Sequence, residues 1–186
     1  MDDGEHRGPW LRHSRTRVHA ASHLTAYRDE VTLPDGRAGH YDWVDVADQV
    51  RVAALVDGCL LVVEQYHYLS GPMWQLPGGS VEPDDEDSGT AARRELAEET
   101  GYFGGDWSKR GAPQPLPALT PARVHLWRAT GLTPGTAAPD PFEADLRIHH
   151  IPLEEALSAV REGRIDCAAS AALVLAVALE DDSARR

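Results

Sequence analysis

Cysteine is scarce: Cys59 and Cys167 stand far apart in 186 residues, with no metal-type spacing. A disulfide framework and a cysteine-bound zinc are therefore not expected. The two thiols read as reduced residues of a cytoplasmic protein. No apolar run is long enough to span a bilayer, so no membrane association is expected. The N-terminus is polar and lacks an apolar signal core. Positive charge is also short, with 18 Lys and Arg against 30 Asp and Glu and a formal net charge of -12. That sign argues against nucleic acid as a partner. An anionic substrate would have to be drawn by local cations or by metal, not by the field of the whole protein. Internal repeats and low-complexity tracts are absent too. The chain is long enough to bury one core.

What is present concentrates between Pro77 and Tyr102. Pro77-Gly78-Gly79 is a turn whose backbone, free of side chains, can approach a phosphate or a metal closely. A short helix should follow, capped by Asp87 or Ser88 and closed by Gly101 in a left-handed conformation. Residues three and four apart share a helix face, so Glu95, Glu98 and Glu99 project together. Like charges at that spacing repel by roughly 0.2–0.5 kcal/mol per pair. A hard divalent cation held by carboxylate oxygens would offset this. Ala92 and Leu96 give the helix a packing side, and Arg94 can brace Glu98 one turn on. A solvated acidic surface helix explains the glutamates equally well, but not the glycines before them.

Elsewhere the pattern alternates between strands and helices. Residues 1–14 are expected to be loosely ordered. Residues 15–48 read as an antiparallel hairpin turning at Pro34-Asp35-Gly36. Val50–Val56 and Cys59–Gln65 are apolar runs joined by Asp57-Gly58, a strong hairpin signal within a buried sheet. Gly104–Pro117 reads as loop, Arg123–Trp127 as strand, and Leu132–Pro141 as a Pro/Gly-rich loop with Glu143 and Asp145 behind it. Leu146–Ile151 is a further strand. Leu153–Glu162 and Ala168–Leu179 read as helices. His149 and His150 are adjacent on a strand, point to opposite faces and cannot easily share a metal.

The segment from Gly79 to Tyr102 resembles the Nudix box, G-x5-E-x7-R-E-U-x-E-E-x-G-U, where U is aliphatic or aromatic. The half from Glu86 through Arg94-Glu95-Leu96-Ala97-Glu98-Glu99 to Gly101-Tyr102 matches position by position. The front carries one residue too many between Gly79 and Glu86, and Asp85 stands where a glycine is usual. The resemblance implies a Nudix-type α/β/α sandwich with a mixed sheet over residues 49–181, behind the N-terminal hairpin. It also implies hydrolysis of a nucleoside diphosphate linked to another moiety, with Mg2+ or Mn2+.

Weaker segments are similar to the ADP-ribose pyrophosphatase branch: Leu33–Gly36, Val63–Tyr66, Gln75–Gly79 and Ile151–Ala156 fall in that order. That likeness implies a homodimer built partly by the hairpin, and AMP and ribose 5-phosphate as products. It assigns metal to the Gly78 carbonyl, Glu95, Glu98 and Glu99. It assigns catalysis to Glu98, Glu99, Glu143 and Arg94, with Glu143 preferred over Asp145 for its longer reach. Substrate binding falls to Tyr41, Trp43, His67 and Gly79. Tyr41 and Trp43 would stack on adenine, although packing on a sheet face would explain them as well. Two residues depart from the branch. His67 replaces an arginine, and a histidine pairs phosphate only when protonated. Gln75 replaces a glutamate, which removes one acid. A different nucleotide substrate, or a non-catalytic module holding a nucleotide sugar, remains open at this level.

Overall fold

The structure is a computed structural model and describes residues 4–184. It divides into two compact units, one comprising the chain up to Ala47 with Leu116–Ala122, the other Asp48–Pro115 with the chain from Arg123.

The first unit is a four-stranded antiparallel sheet in chain order: β1 (Glu5–Arg7), β2 (Trp10–Ala20), β3 (Thr25–Thr32) and β4 (Ala38–Asp45). β3 and β4 turn at Pro34-Asp35-Gly36, where Gly36 takes φ 86°. Asp29 and Val31 of β3 are buried. Arg15 grips the Asp29 carboxylate with two hydrogen bonds of 2.9 and 3.2 Å and lies over the Trp43 ring. Burial alone would raise the Asp29 carboxyl, but the Arg15 guanidinium bonded to it holds it below its ordinary value.

The expectation of a loose segment over residues 1–14 is corrected from Glu5 onward; Met1–Asp3 lie outside the described residues. The two-stranded hairpin is likewise a four-stranded sheet. A lone hairpin is marginal in water, and β2 adds the third strand by pairing with β3 from Leu11↔Thr32 to Ala20↔Thr25. Mostly exposed and rich in Arg and His, β2 carries little apolar alternation for a sequence reading to detect.

The second unit is a mixed sheet in the order β10-β6-β5-β9-β8, with β7 pairing β6. Its strands are β5 (Gln49–Val56), β6 (Cys59–His67), β7 (Gly71–Gln75), β8 (Asp106–Gly111), β9 (Val124–Thr130) and β10 (Arg147–Pro152). β5 and β9 run parallel and the other pairs antiparallel. The β5–β6 turn uses Asp57 at φ 49° and Gly58 at φ 79°, the two left-handed residues a tight hairpin needs.

Helix α1 (Ser88–Thr100) covers one face, and α2 (Leu153–Arg161) and α3 (Ala168–Ala184) the other. The alternation of a strand serves both faces. Leu60 and Val62 pack with Leu173 and Val177, while Leu61 packs with Val50, Val52 and Leu96. This is the expected α/β/α sandwich, and it explains why β5 and β6 read as continuous apolar runs.

β8 corrects a second expectation, since Gly104–Pro117 read as loop. It is an edge strand of mostly polar residues, Asp106-Trp107-Ser108-Lys109-Arg110-Gly111, and edge strands favour such residues over alternation. Among the described residues no helix is long and apolar enough to cross a membrane.

Candidate active site

Helix α1 begins because the Asp87 carboxylate accepts hydrogen bonds of 2.8 Å from the Gly89 and Thr90 N–H groups. It ends where Gly101, at φ 76°, returns its N–H to the Ala97 carbonyl. Ala91, Ala92 and Leu96 are fully buried against the sheet. Seating that stripe turns Glu95 and Glu99 inward, where they are 8% and 1% exposed, and leaves Glu98 half-buried. Arg94 Nη1 donates to both Glu95 and Glu98 at 3.0 Å and fixes two of the three acids.

The glycine turn lies along β5. Val50 N–H donates to the Gly79 carbonyl at 2.9 Å, and Val52 N–H to the Pro77 carbonyl at 2.8 Å. Gly78 is required by its backbone contact, and Gly79 makes way for the Glu95 carboxylate. A Cβ on Gly78, which sits at φ 140°, would collide with the Val50 carbonyl oxygen, and one on Gly79 would lie 2.5 Å from Glu95 Oε1. The Gly78 N–H donates to Glu99 Oε2 at 2.8 Å.

Arg51 completes this layer and was not expected. It is 8% exposed. Its Nη1 donates to the carbonyls of Gly78 (2.5 Å) and Val50 (2.8 Å), and its Nη2 to Gln75 Oε1 (3.3 Å). The signal was a single arginine inside the otherwise apolar run Val50–Val56.

These contacts set the electrostatics. Burial pushes the Glu99 carboxyl up to about 8; the Gly78 N–H and the Arg51 charge oppose this, while Glu143 and Glu95 add to it. Glu95 is also raised, by burial first, with Arg94 opposing and the Glu98 and Glu143 charges adding. The acid group is thus short of positive charge. Among the described residues no three acid, histidine or cysteine side chains already converge at ligating distance. The donor chemistry nevertheless fits a hard divalent cation, since every candidate ligand atom is an oxygen.

The front of the box has a register the sequence did not reveal. Arg94 forms an ion pair with Asp85 at 3.0 Å, and the Asp85 side chain is only 5% exposed. The same carboxylate accepts the Glu82 N–H at 2.8 Å. Glu86, which matched the box by counting back from Arg94, faces solvent. Counted from Gly79, Asp85 stands at the G-x5-E position, so the extra residue falls between the acid and Arg94 and not in the turn.

Glu143 ends a short helical turn, Pro141–Glu143, where its carboxylate accepts the Asp140 N–H at 3.3 Å while its charge acts on Glu95 and Glu99. Asp145 is engaged elsewhere, accepting the Tyr66 N–H at 2.9 Å beside a cavity of about 150 Å³ that Arg147 also lines. His67 ends β6, half-buried, with Nε2 lacking a hydrogen-bond partner. His149 bonds Glu64 at 2.7 Å and stacks on Trp74, whereas His150 meets the edge of Tyr102. The two thus serve opposite faces.

Tyr41 and Trp43 lie in the first unit. There the Tyr41 hydroxyl donates to the Ala118 carbonyl at 2.8 Å, and Trp43 stacks on Tyr27 at 4.7 Å. Of the expected site residues, Arg94, Glu95 and Glu98 form one bonded set and Gly78 and Glu99 another, Gly79 lies against the Glu95 carboxylate, and the Glu143 charge acts on Glu95 and Glu99.

Residues 45–167 match the model of the NUDIX domain. The chain belongs to the Nudix family. An ADP-ribose pyrophosphatase of Mycobacterium tuberculosis is 30% identical over 163 residues, covering 86% of this chain and 79% of that one. A CMP-5'-(N-acetyl-N-hydroxy-3-aminopropyl)phosphonate hydrolase of Streptomyces rubellomurinus is 28% identical over 170 residues, covering 90% and 82%. A solved structure described as an ADP compounds hydrolase superposes with a TM-score of 0.84 at 17% identity, covering 96% of this chain and 97% of that one; it shares the fold. The protein is a Nudix pyrophosphohydrolase, similar to ADP-ribose pyrophosphatases.

Proposed function

We propose that this Nudix enzyme hydrolyses the diphosphate of a nucleoside diphosphate-sugar, with ADP-ribose as substrate and AMP and ribose 5-phosphate as products. Glu99 carries the reading. An acid 1% exposed, bonded to the glycine turn and pushed to about 8, sits beside Glu95 and Glu98, and Arg94 pairs only with the latter two. Burying such a group is costly unless a cation joins it. Glu95, Glu98 and Glu99, with the second lone pair of the Gly78 carbonyl, would hold Mg2+ or Mn2+. Bound there, the ion would neutralise the diphosphate and acidify the attacking water.

The chain's own groups do the rest. Arg94 keeps Glu95 and Glu98 in fixed orientation through Nη1. Glu143, whose charge already reaches Glu95 and Glu99, accepts the proton of the water that attacks phosphorus. The bridging P–O bond breaks, and the proton and hydroxyl of that water end on the two products. In the second unit, His67 and the backbone at Gly79 are assigned to the diphosphate; in the first unit, Tyr41 and Trp43 are the aromatic side chains assigned to adenine. The homodimer would form through the first unit, where the apolar side chains Val18 and Leu24 are exposed. Two free thiols suit the cytoplasm.

A different nucleotide is the second reading. It is favoured by Gln75, whose amide oxygen is taken up by Arg51 where the branch carries an acid. Phosphate and nucleotide release from ADP-ribose, other nucleotide sugars, nucleoside triphosphates and dinucleotides, each with Mg2+ and with Mn2+, separates the readings. ADP-ribose should be turned over fastest; no turnover of any of them would remove the proposal.

A further inference from the structure

Arg51 is an unusual charge to bury in β5. Its hydrogen bonds go to three neutral oxygens and to the Cys167 thiol, and among the described residues no carboxylate forms an ion pair with it. Its Nε is buried without a hydrogen-bond partner. A buried cation held only by neutral groups is costly, and a guanidinium does not escape the cost by losing its proton. Packing alone gives no reason for it, since the neighbouring Val50, Val52 and Ala53 fill the strand with apolar side chains.

Its position supplies the reason. The Gly78 peptide lies between Arg51 and Glu99, with its carbonyl accepting from Arg51 and its N–H donating to Glu99. One peptide therefore couples a permanent cation to the most buried acid of the site.

We propose that Arg51 is a positioning residue that acts as the resident counter-cation of the acid group, holding the Gly78 carbonyl and opposing the divalent ion that the group binds. This rests on the reading of Glu95, Glu98 and Glu99 as divalent ligands. Without metal, the guanidinium supplies part of the missing positive charge and keeps the glycine turn seated on β5. A divalent ion held by the acids would be repelled by this guanidinium, which already bonds the Gly78 carbonyl. The site thus binds metal less tightly than its acids alone would dictate. Gln75 is the second half of the device. A glutamate there would pair with Arg51 and cancel its field, whereas the amide oxygen bonds it without cancelling the charge. The Cys167 thiol feels the same field. Burial would raise it, but the Arg51 charge and hydrogen bonds from Ser170 hold it below its ordinary value.

The test is Mn2+ binding to the metal-free protein without substrate, by calorimetry and by the electron paramagnetic resonance signal of free Mn2+. The variants are Arg51→Met and Gln75→Glu. The first removes the charge and the Gly78 contact; the second keeps every residue of the turn and neutralises the charge. Both are expected to bind Mn2+ at least about tenfold more tightly than the wild type, about 1.4 kcal/mol. Arg51→Gln takes the place of Arg51→Met if the latter does not fold, because Gln75→Glu also adds an acid beside the site and supports the role only together with an Arg51 variant. Unchanged or weaker binding by Gln75→Glu, with the wild type binding normally, overturns the role of Arg51 and leaves the divalent site standing. A wild type that binds no Mn2+ overturns both.

Discussion

Replacing Glu99 by glutamine should remove activity and, in metal-free protein at alkaline pH, increase stability. The amide that results keeps an oxygen for the Gly78 N–H, which now bonds the carboxylate at 2.8 Å, so the turn keeps its anchor. What is lost is a charge on a residue only 1% exposed. Burial raises this carboxyl from 4.5 to about 8. The folded state thus holds a proton that the unfolded state has released between those values. Stability from this group is complete below about 4.5 and declines as pH rises through about 8. At about 1.4 kcal/mol per pH unit the limit is roughly 5 kcal/mol. Relaxation and entering water reduce it, leaving on the order of 1–3 kcal/mol. For a protein of this size that is a rise in Tm of roughly 2–10 °C.

Thermal unfolding in a chelator at pH 5 and pH 8.5 measures it. The glutamine variant should melt higher than the wild type at pH 8.5, with the gap narrowing at pH 5. With saturating Mg2+, its turnover should fall about 10²-fold or more, because charge neutralisation at the diphosphate is lost. A variant no more stable than wild type at pH 8.5, or one retaining near wild-type turnover, would refute the reasoning.

Asp85→Ala should destabilise the protein by about 1–3 kcal/mol, since it leaves Arg94 short of its most buried partner, whereas Glu86→Ala should be nearly neutral; denaturant unfolding of both tests the register of the box. Glu143→Gln should lower kcat by about 10²-fold with little change in Mn2+ affinity if it accepts the proton, and Asp145→Asn should not reproduce the loss in kcat. Alkylation of Cys167 at neutral pH should slow in Arg51→Met, because the guanidinium that favours its thiolate is gone; peptide mass mapping after timed exposure to iodoacetamide reads the rate. Light scattering at micromolar concentration should give a dimer mass, and a monomer mass would contradict the homodimer.

The sandwich was legible because its signals are local. Asp57-Gly58 forces a tight turn, the apolar runs on either side must be buried on both faces, and Asp87 and Gly101 mark both ends of α1. The acid face followed from helical spacing alone. The β3–β4 hairpin was read from its Pro34-Asp35-Gly36 turn, but β1, β2 and β8 were not legible, since β2 and the edge strand β8 carry charged side chains and are stabilised by backbone pairing with their neighbours. Arg51 was hidden for a different reason. Its role depends on which carbonyl meets it across the sheet, and Gly78 lies 27 residues away in the chain. The register of Asp85 was hidden because counting treats the box as rigid, whereas the ion pair with Arg94 tolerates an added residue between its partners.

The most direct measurement is incubation of the purified protein with ADP-ribose, with and without Mg2+ or Mn2+, and separation of the products by chromatography with Glu99→Gln alongside. Equimolar AMP and ribose 5-phosphate, formed only with the divalent ion and lost in the variant, is the expected result. Intact ADP-ribose under all conditions, or AMP released equally by the wild type and by Glu99→Gln, would contradict the assignment of the acid face of α1 as the catalytic centre.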